Sequence, residues 1–197
     1  MKITTWNVNS INARLDHLLE FIKKNQSDII LLQELKCINE QFPYQELEDI
    51  NYNCYVHGQK AWNGVAVLSK KKLNIINTKI PTFLDDNQSR FLETEIHHSK
   101  LKKNIKLFCI YLPNGNPIET EKFDYKIKWM KKFNSYIENL YSENIPIIIG
   151  GDFNVIPTDN DVYEPENFKN DACAHPQTRE QFRILLNLGM TDVVKYF

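Results

Sequence analysis

The 197-residue chain is 42% hydrophobic and 25% charged, ordinary globular values that exclude wholesale disorder and lead us to expect a single domain over residues 1–197. Its net charge of -1 provides no global basic field, so any contact with nucleic acid must come from a local patch. Cys37, Cys54, Cys109 and Cys173 form no Cys-x-x-Cys pair, the amino terminus carries no apolar leader, and no window reaches membrane-spanning length. These features predict a cytoplasmic protein with reduced thiols and no membrane partner.

Residues 2–6 read as a strand ending in Asn7-Val8-Asn9-Ser10. Leu15, Leu18, Leu19 and Ile22 then recur at helical spacing within Asn12 to Asn25, which predicts an amphipathic helix. Asp28-Ile29-Ile30-Leu31-Leu32 follows as a buried strand that exits into Gln33-Glu34. Together these make a β-α-β unit with a polar group at the end of each strand.

Tyr52 to His57 and Gly64 to Ser69 read as two paired strands, and Leu73 to Ile80 and Arg90 to Ile96 as two more. Ile105 to Leu112 places Leu107, Cys109 and Tyr111 on one face before Pro113-Asn114-Gly115-Asn116-Pro117 stops it. The longest predicted helix runs from Phe123 to Tyr141 with Phe123, Ile127, Met130, Ile137 and Leu140 on its buried stripe. Lys122, Lys126, Lys128, Lys131 and Lys132 fall mostly elsewhere on it, as on a solvated face.

Ile145 to Ile149 is an apolar run bounded by Pro146 and Gly150, the pattern of a strand buried on both faces. It delivers Gly150-Gly151-Asp152-Phe153-Asn154, where the glycines would permit a sharp turn or close approach of a ligand. A helix from Thr178 to Leu188 ends at Gly189, and the chain closes on the strand-like Thr191 to Phe197. Many strands with few helices predict a layered α/β fold rather than a regularly alternating sheet.

The polar strand exits are Asn7, Glu34, Tyr111 with Asn114, and Asp152 with Asn154. If they converge, they form a pocket of two carboxylates, several amides and a phenol, without cysteine or histidine. A few oxygen ligands suit Mg²⁺, with Mn²⁺ as the alternative, and a phosphate substrate that completes the metal's shell. No P-loop, Gly-x-Ser-x-Gly elbow or His-Glu-x-x-His motif occurs, so nucleotide hydrolysis, serine-esterase and zinc-peptidase chemistry have no support.

Six stretches, in order, resemble the exonuclease III family of the endonuclease/exonuclease/phosphatase superfamily, in its bacterial branch. They are Trp6-Asn7-Val8-Asn9-Ser10-Ile11, Leu32-Gln33-Glu34-Leu35-Lys36, His57-Gly58-Gln59-Lys60, Gly64-Val65-Ala66, Tyr111-Leu112-Pro113-Asn114 and Gly151-Asp152-Phe153-Asn154. The resemblance implies a four-layer α/β sandwich of two mixed sheets flanked by helices. It also implies a monomeric Mg²⁺-dependent nuclease that cuts 5′ to abasic sites in double-stranded DNA and trims 3′ ends.

Carried over by position, Glu34 is the implied metal ligand with Asn7 beside it. Asp152 handles a proton, Asn154 orients the scissile phosphate, and Tyr111 hydrogen-bonds it. Arg90, Asn114 and Asn9 match positions that hold DNA. The family's closing Asp-bearing strand and Ser-Asp-His motif have no counterpart here, so the resemblance also implies a C-terminally shortened member with its last strands absent. A second reading is therefore a catalytically inactive truncated gene product, or a fragment, lacking the closing Asp-His motif. His175 lies in a Pro-rich loop and is read as a loop residue rather than a substitute base.

Overall fold

A computed structural model describes residues 1–196. The chain divides into two compact units, one of Met1–Tyr111 with Ile145–Asp152 and the other of Leu112–Asn144 with Phe153–Phe197. The expected strand at the C-terminus lies partly outside the described residues at Phe197, and the part that is described forms a short helix, α5 (Val193–Tyr196), instead.

The first unit holds two mixed four-stranded sheets. One consists of β1 (Ile3–Asn7), β2 (Ile29–Gln33), β4 (Val65–Ser69) and β3 (Asn53–His57), in that order. β1 and β2 are parallel because α1 (Ile11–Asn25) makes the crossover, whereas the short loop between β3 and β4 gives an antiparallel hairpin. The other sheet has the order β5 (Asn74–Asn77), β6 (Phe91–His98), β7 (Lys103–Tyr111) and β8 (Ile147–Asp152).

Residues Ile29, Leu31, Val65 and Val67 of the first sheet pack with Leu92, Ile96, Ile105, Leu107 and Cys109 of the second. Alternate residues of β2 point the other way, so Ile30 and Leu32 join Leu18 and Ile22 of α1 and Leu47 of α2 (Tyr44–Glu48). All five β2 residues are consequently buried, as the uninterrupted apolar run requires.

β8 departs from expectation. All six of its residues are only half-buried, since β8 lies at the end of its sheet and pairs with β7 alone. An apolar run reports hydrophobicity, but sheet order decides whether a strand is covered on both sides. Gly150 also faces the other sheet closely: a Cβ there would lie 2.5 Å from Leu31 Cδ1. Close sheet packing favours a glycine at that position, since a side chain would require Leu31 to shift.

In the second unit, α3 (Glu121–Ser142) and α4 (Pro176–Asn187) pack together, and the buried Asn134 amide donates to Gln181 O at 2.9 Å. Phe123, Met130, Ile137 and Leu140 are buried as expected, whereas Ile127 is half-buried. Lys126 is the exception among the lysines: it is on the buried face. Among the described residues no helix is long and apolar enough to cross a membrane.

Candidate active site

The ends of β1, β2, β7 and β8 bring Asn7, Glu34, Tyr111 and Asp152 together in the first unit. Parallel pairing of β1 with β2 sets Asn7 opposite Gln33, and β7 with β8 sets Tyr111 opposite Asp152. The ladder between the first pair continues past the strands: Val8 N donates to Gln33 O, Ser10 N to Glu34 O and Ile11 N to Leu35 O, at 2.8–3.1 Å. Those bonds lock two adjacent loops at the rim. Asn9, Ser10, Glu34 and Lys36 all take positive φ of 45–85°, a strained geometry that costs about 1–3 kcal/mol per residue and must be held by its surroundings.

Asn7 is the central connector. Its Nδ2 donates to Glu34 Oε1 and to Asp152 Oδ2, both at 2.8 Å. Its Oδ1 is turned to the backbone N–H of Asn9 at 3.1 Å. Asn7 therefore presents donors to the carboxylates, and Glu34 with Asp152 supplies the charged oxygens.

Glu34 accepts further bonds. Tyr111 Oη donates to Oε1 at 2.9 Å, and Lys36 Nζ lies 3.1 Å from Oε2. Partial burial would raise the Glu34 pKa, but the bonds from Asn7, Lys36 and Tyr111, together with the Lys36 charge, outweigh it and hold the carboxyl below its usual range. Glu34 is thus an anion at neutral pH. Tyr111 moves the opposite way: burial first, then the Glu34 carboxylate, pushes its phenol up to about 12, against a smaller lowering by Arg90. It stays protonated and can donate.

Arg90 stacks over the Tyr111 ring, its Cζ 4.7 Å from the centroid, and donates to Tyr111 O at 3.2 Å and to Gln88 Oε1 at 2.7 Å. Asn9 is exposed, and its Oδ1 accepts from Lys36 Nζ. Lys36 closes the Leu32-Gln33-Glu34-Leu35-Lys36 stretch but was given no role, yet it joins the Glu34 carboxylate to the Asn9 amide. Its position two residues after Glu34 was the available signal, since a lysine beside a buried carboxylate commonly neutralises it.

The second unit carries the other two expected residues. Asn114 Nδ2 lies 3.4 Å from Asn154 Oδ1, and Asn154 Nδ2 donates to Leu112 O at 2.8 Å. His175 caps α4, accepting from Gln177 N at 3.3 Å, and packs edge-on against Phe123. It keeps the structural role expected of it.

Among the described residues, no three His, Cys, Asp or Glu side chains gather into a metal cage. The donors present still fit a hard divalent ion. Glu34 and Asp152 are oxygen anions tied through one amide, with no sulfur or imidazole, and Mg²⁺ characteristically uses one or two carboxylates.

The model of the endonuclease/exonuclease/phosphatase family matches residues 4–194. The chain belongs to that family. Within it the chain is similar to exodeoxyribonuclease III of Haemophilus influenzae, with 33% identity over 98% of this chain and 74% of that protein. Among solved structures it is similar to a 3′ phosphatase from Neisseria bound to a product DNA hairpin (TM-score 0.91, 32% identity) and to an AP endonuclease from Archaeoglobus fulgidus (TM-score 0.89, 30% identity). Each comparison covers all of this chain and 74% of the other. The chain is thus a family member of the exodeoxyribonuclease III and AP endonuclease type, a hydrolytic nuclease related to DNA-repair enzymes.

Proposed function

We propose that this family member is a Mg²⁺-dependent nuclease that hydrolyses the phosphodiester 5′ to abasic sites in duplex DNA and removes nucleotides from 3′ ends. The observation that carries the reading is the Asn7 amide bridging Glu34 and Asp152, with the Tyr111 phenol on the same Glu34 oxygen. Relatives named for exodeoxyribonuclease and AP endonuclease activity support it.

Glu34, with Asn7 beside it, is the residue that would hold the divalent ion. When bound, such an ion polarises a phosphoryl oxygen and offsets charge on the leaving oxygen. The chain's own groups do the remainder. Asn7 keeps both carboxylates in register by donating to each. Tyr111, held on its ring face by Arg90 and protonated well above neutral pH, donates its single phenolic hydrogen to Glu34 in the absence of substrate and would turn that hydrogen bond to a nonbridging phosphate oxygen when substrate binds. Asp152 moves the proton of the attacking water or the departing 3′ oxygen. General acid–base help of this kind contributes about 10² to 10⁴ in rate.

In the second unit Asn154 and Asn114 are assigned to the phosphate and the DNA backbone; in the first, Asn9 and Arg90 are assigned to DNA. Selectivity for abasic sites follows from the substrate, because a nucleotide without its base gives up no stacking or pairing when it is extruded. The test is to map the cut. A labelled duplex with one abasic site should give, with Mg²⁺ and not with EDTA, a single product cut 5′ to the lesion whose 3′ hydroxyl a polymerase extends. Products cut 3′ to the lesion, or identical products in EDTA, would overturn the reading.

A further inference from the structure

One buried charged group is used by none of these steps. Lys126, on α3, is 0% exposed. Its Nζ donates to Asn114 O at 2.9 Å and to Asn154 O at 2.6 Å, with Cys173 Sγ at 3.9 Å. An ammonium carries three donor hydrogens and no acceptor, so two carbonyls and a polarizable thiol form a matched surround. A charge removed from water persists only with such partners.

The two carbonyls belong to the residues whose side chains are assigned to phosphate. Asn154 stands in the left-handed region at φ 45°, which asparagine adopts more readily than other non-glycine residues, and a tether on its carbonyl would hold it there. Lys126 provides that tether and joins the backbone at Asn154 to the backbone at Asn114. Gly115 lets the lysine through: a Cβ there would lie 2.6 Å from Lys126 Cδ and 3.1 Å from Lys126 Cβ. The glycine of Pro113-Asn114-Gly115 is thus needed for the lysine stem as well as for its own positive φ of 85°.

We propose that Lys126 is a positioning residue for phosphate recognition, its ammonium fixing the backbone and hence the carboxamides of Asn114 and Asn154. The role of the two amides rests on the nuclease reading above. The lysine acts through them and touches no substrate.

The test compares the unmodified chain with Lys126→Met and Gly115→Ala. Side-chain amide resonances of Asn114, Asn154 and Asn134 are recorded by NMR, and affinity for a duplex carrying a tetrahydrofuran abasic analogue is measured in EDTA. Asn134 is the internal control, since it is buried on the same helix and bonded to Gln181. In Lys126→Met, the Asn114 and Asn154 resonances should shift, Asn134 should not, and affinity should fall about tenfold, the loss expected when a charged hydrogen-bond donor is removed.

Gly115→Ala keeps the lysine but displaces its stem; because alanine at φ 85° also strains the backbone beside Asn114, the resonance read in this variant is that of Asn154, which should shift while Asn134 does not. It also carries the test if Lys126→Met does not fold. Unmoved Asn114 and Asn154 resonances in a folded variant would overturn the proposal, as would an Asn134 shift of equal size. If the unmodified chain binds no DNA, the nuclease reading fails, while the resonances still decide whether Lys126 sets the two amides.

Discussion

The carboxamide nitrogen of Asn7 lies 2.8 Å from Asp152 Oδ2, joining residues 145 positions apart, and the same nitrogen lies 2.8 Å from Glu34 Oε1. One neutral amide thereby holds two carboxylates at the ends of different sheets. Replacing it with an apolar side chain of similar shape, Asn7→Leu, leaves each carboxylate short of a donor. The cost should be about 1–3 kcal/mol in urea denaturation, with incision reduced about 10²-fold or more. A variant with normal stability and normal incision would show that the bridge is incidental.

Glu34 gives a stability prediction in acid. Its folded pKa lies below the ordinary glutamate value of 4.5. A depressed carboxyl contributes stability that is present above the unfolded pKa and lost as pH falls through the folded one. The urea midpoint should therefore be nearly flat from neutral pH to about 5 and drop below about 4.5. Glu34→Gln should flatten part of that drop, the remainder coming from the lowered Asp28 and Asp161. Superimposable acid limbs would contradict the pairing of Glu34 with Asn7, Lys36 and Tyr111.

Tyr111 gives the opposite sign in base. Its phenol is raised to about 12, so folding favours the protonated form. That contribution is present below the ordinary tyrosine value of 10 and lost as pH rises through the folded pKa. Absorbance at 295 nm should show a late tyrosine transition that Tyr111→Phe removes. The same variant should incise DNA about tenfold or more slowly, since it has lost one hydrogen bond to a charged group.

Gly151 supplies a packing prediction. A Cβ at this position would lie 2.0 Å from Ile110 O, on the paired strand β7. Backbone cannot retreat as a flexible side chain can, so Gly151→Ala should destabilise the fold by about 2–4 kcal/mol. Thermal denaturation checks it, and a shift of less than a degree or two would mean that β8 bends freely.

The parts of this architecture legible in the sequence were those that local chemistry dictates. Helical spacing of Leu18 and Ile22 and the apolar run of β2 fix the β1-α1-β2 unit, and Glu34 follows at its rim. The fold class and the family rested on several short stretches acting together.

What stayed hidden depends on neighbours distant in the chain. The half-exposed state of β8 follows from its place at the end of the sheet, and the need for Gly150 follows from Leu31 on the facing sheet. Lys126 looked like the other lysines of α3 because helical position alone does not reveal two waiting carbonyls. The amide orientation of Asn7 depends on Asn9, Glu34 and Asp152 at once.

The most direct test of the account is incision of a duplex carrying one synthetic abasic site by this 197-residue chain, with Mg²⁺ and with EDTA. Asp152→Asn protein from the same preparation controls for host nuclease. The account predicts cleavage that needs both the metal and Asp152. Absence of cleavage by a folded, soluble chain, or equal cleavage by Asp152→Asn, would contradict the claim that the Asn7-bridged carboxylates are a working nuclease site.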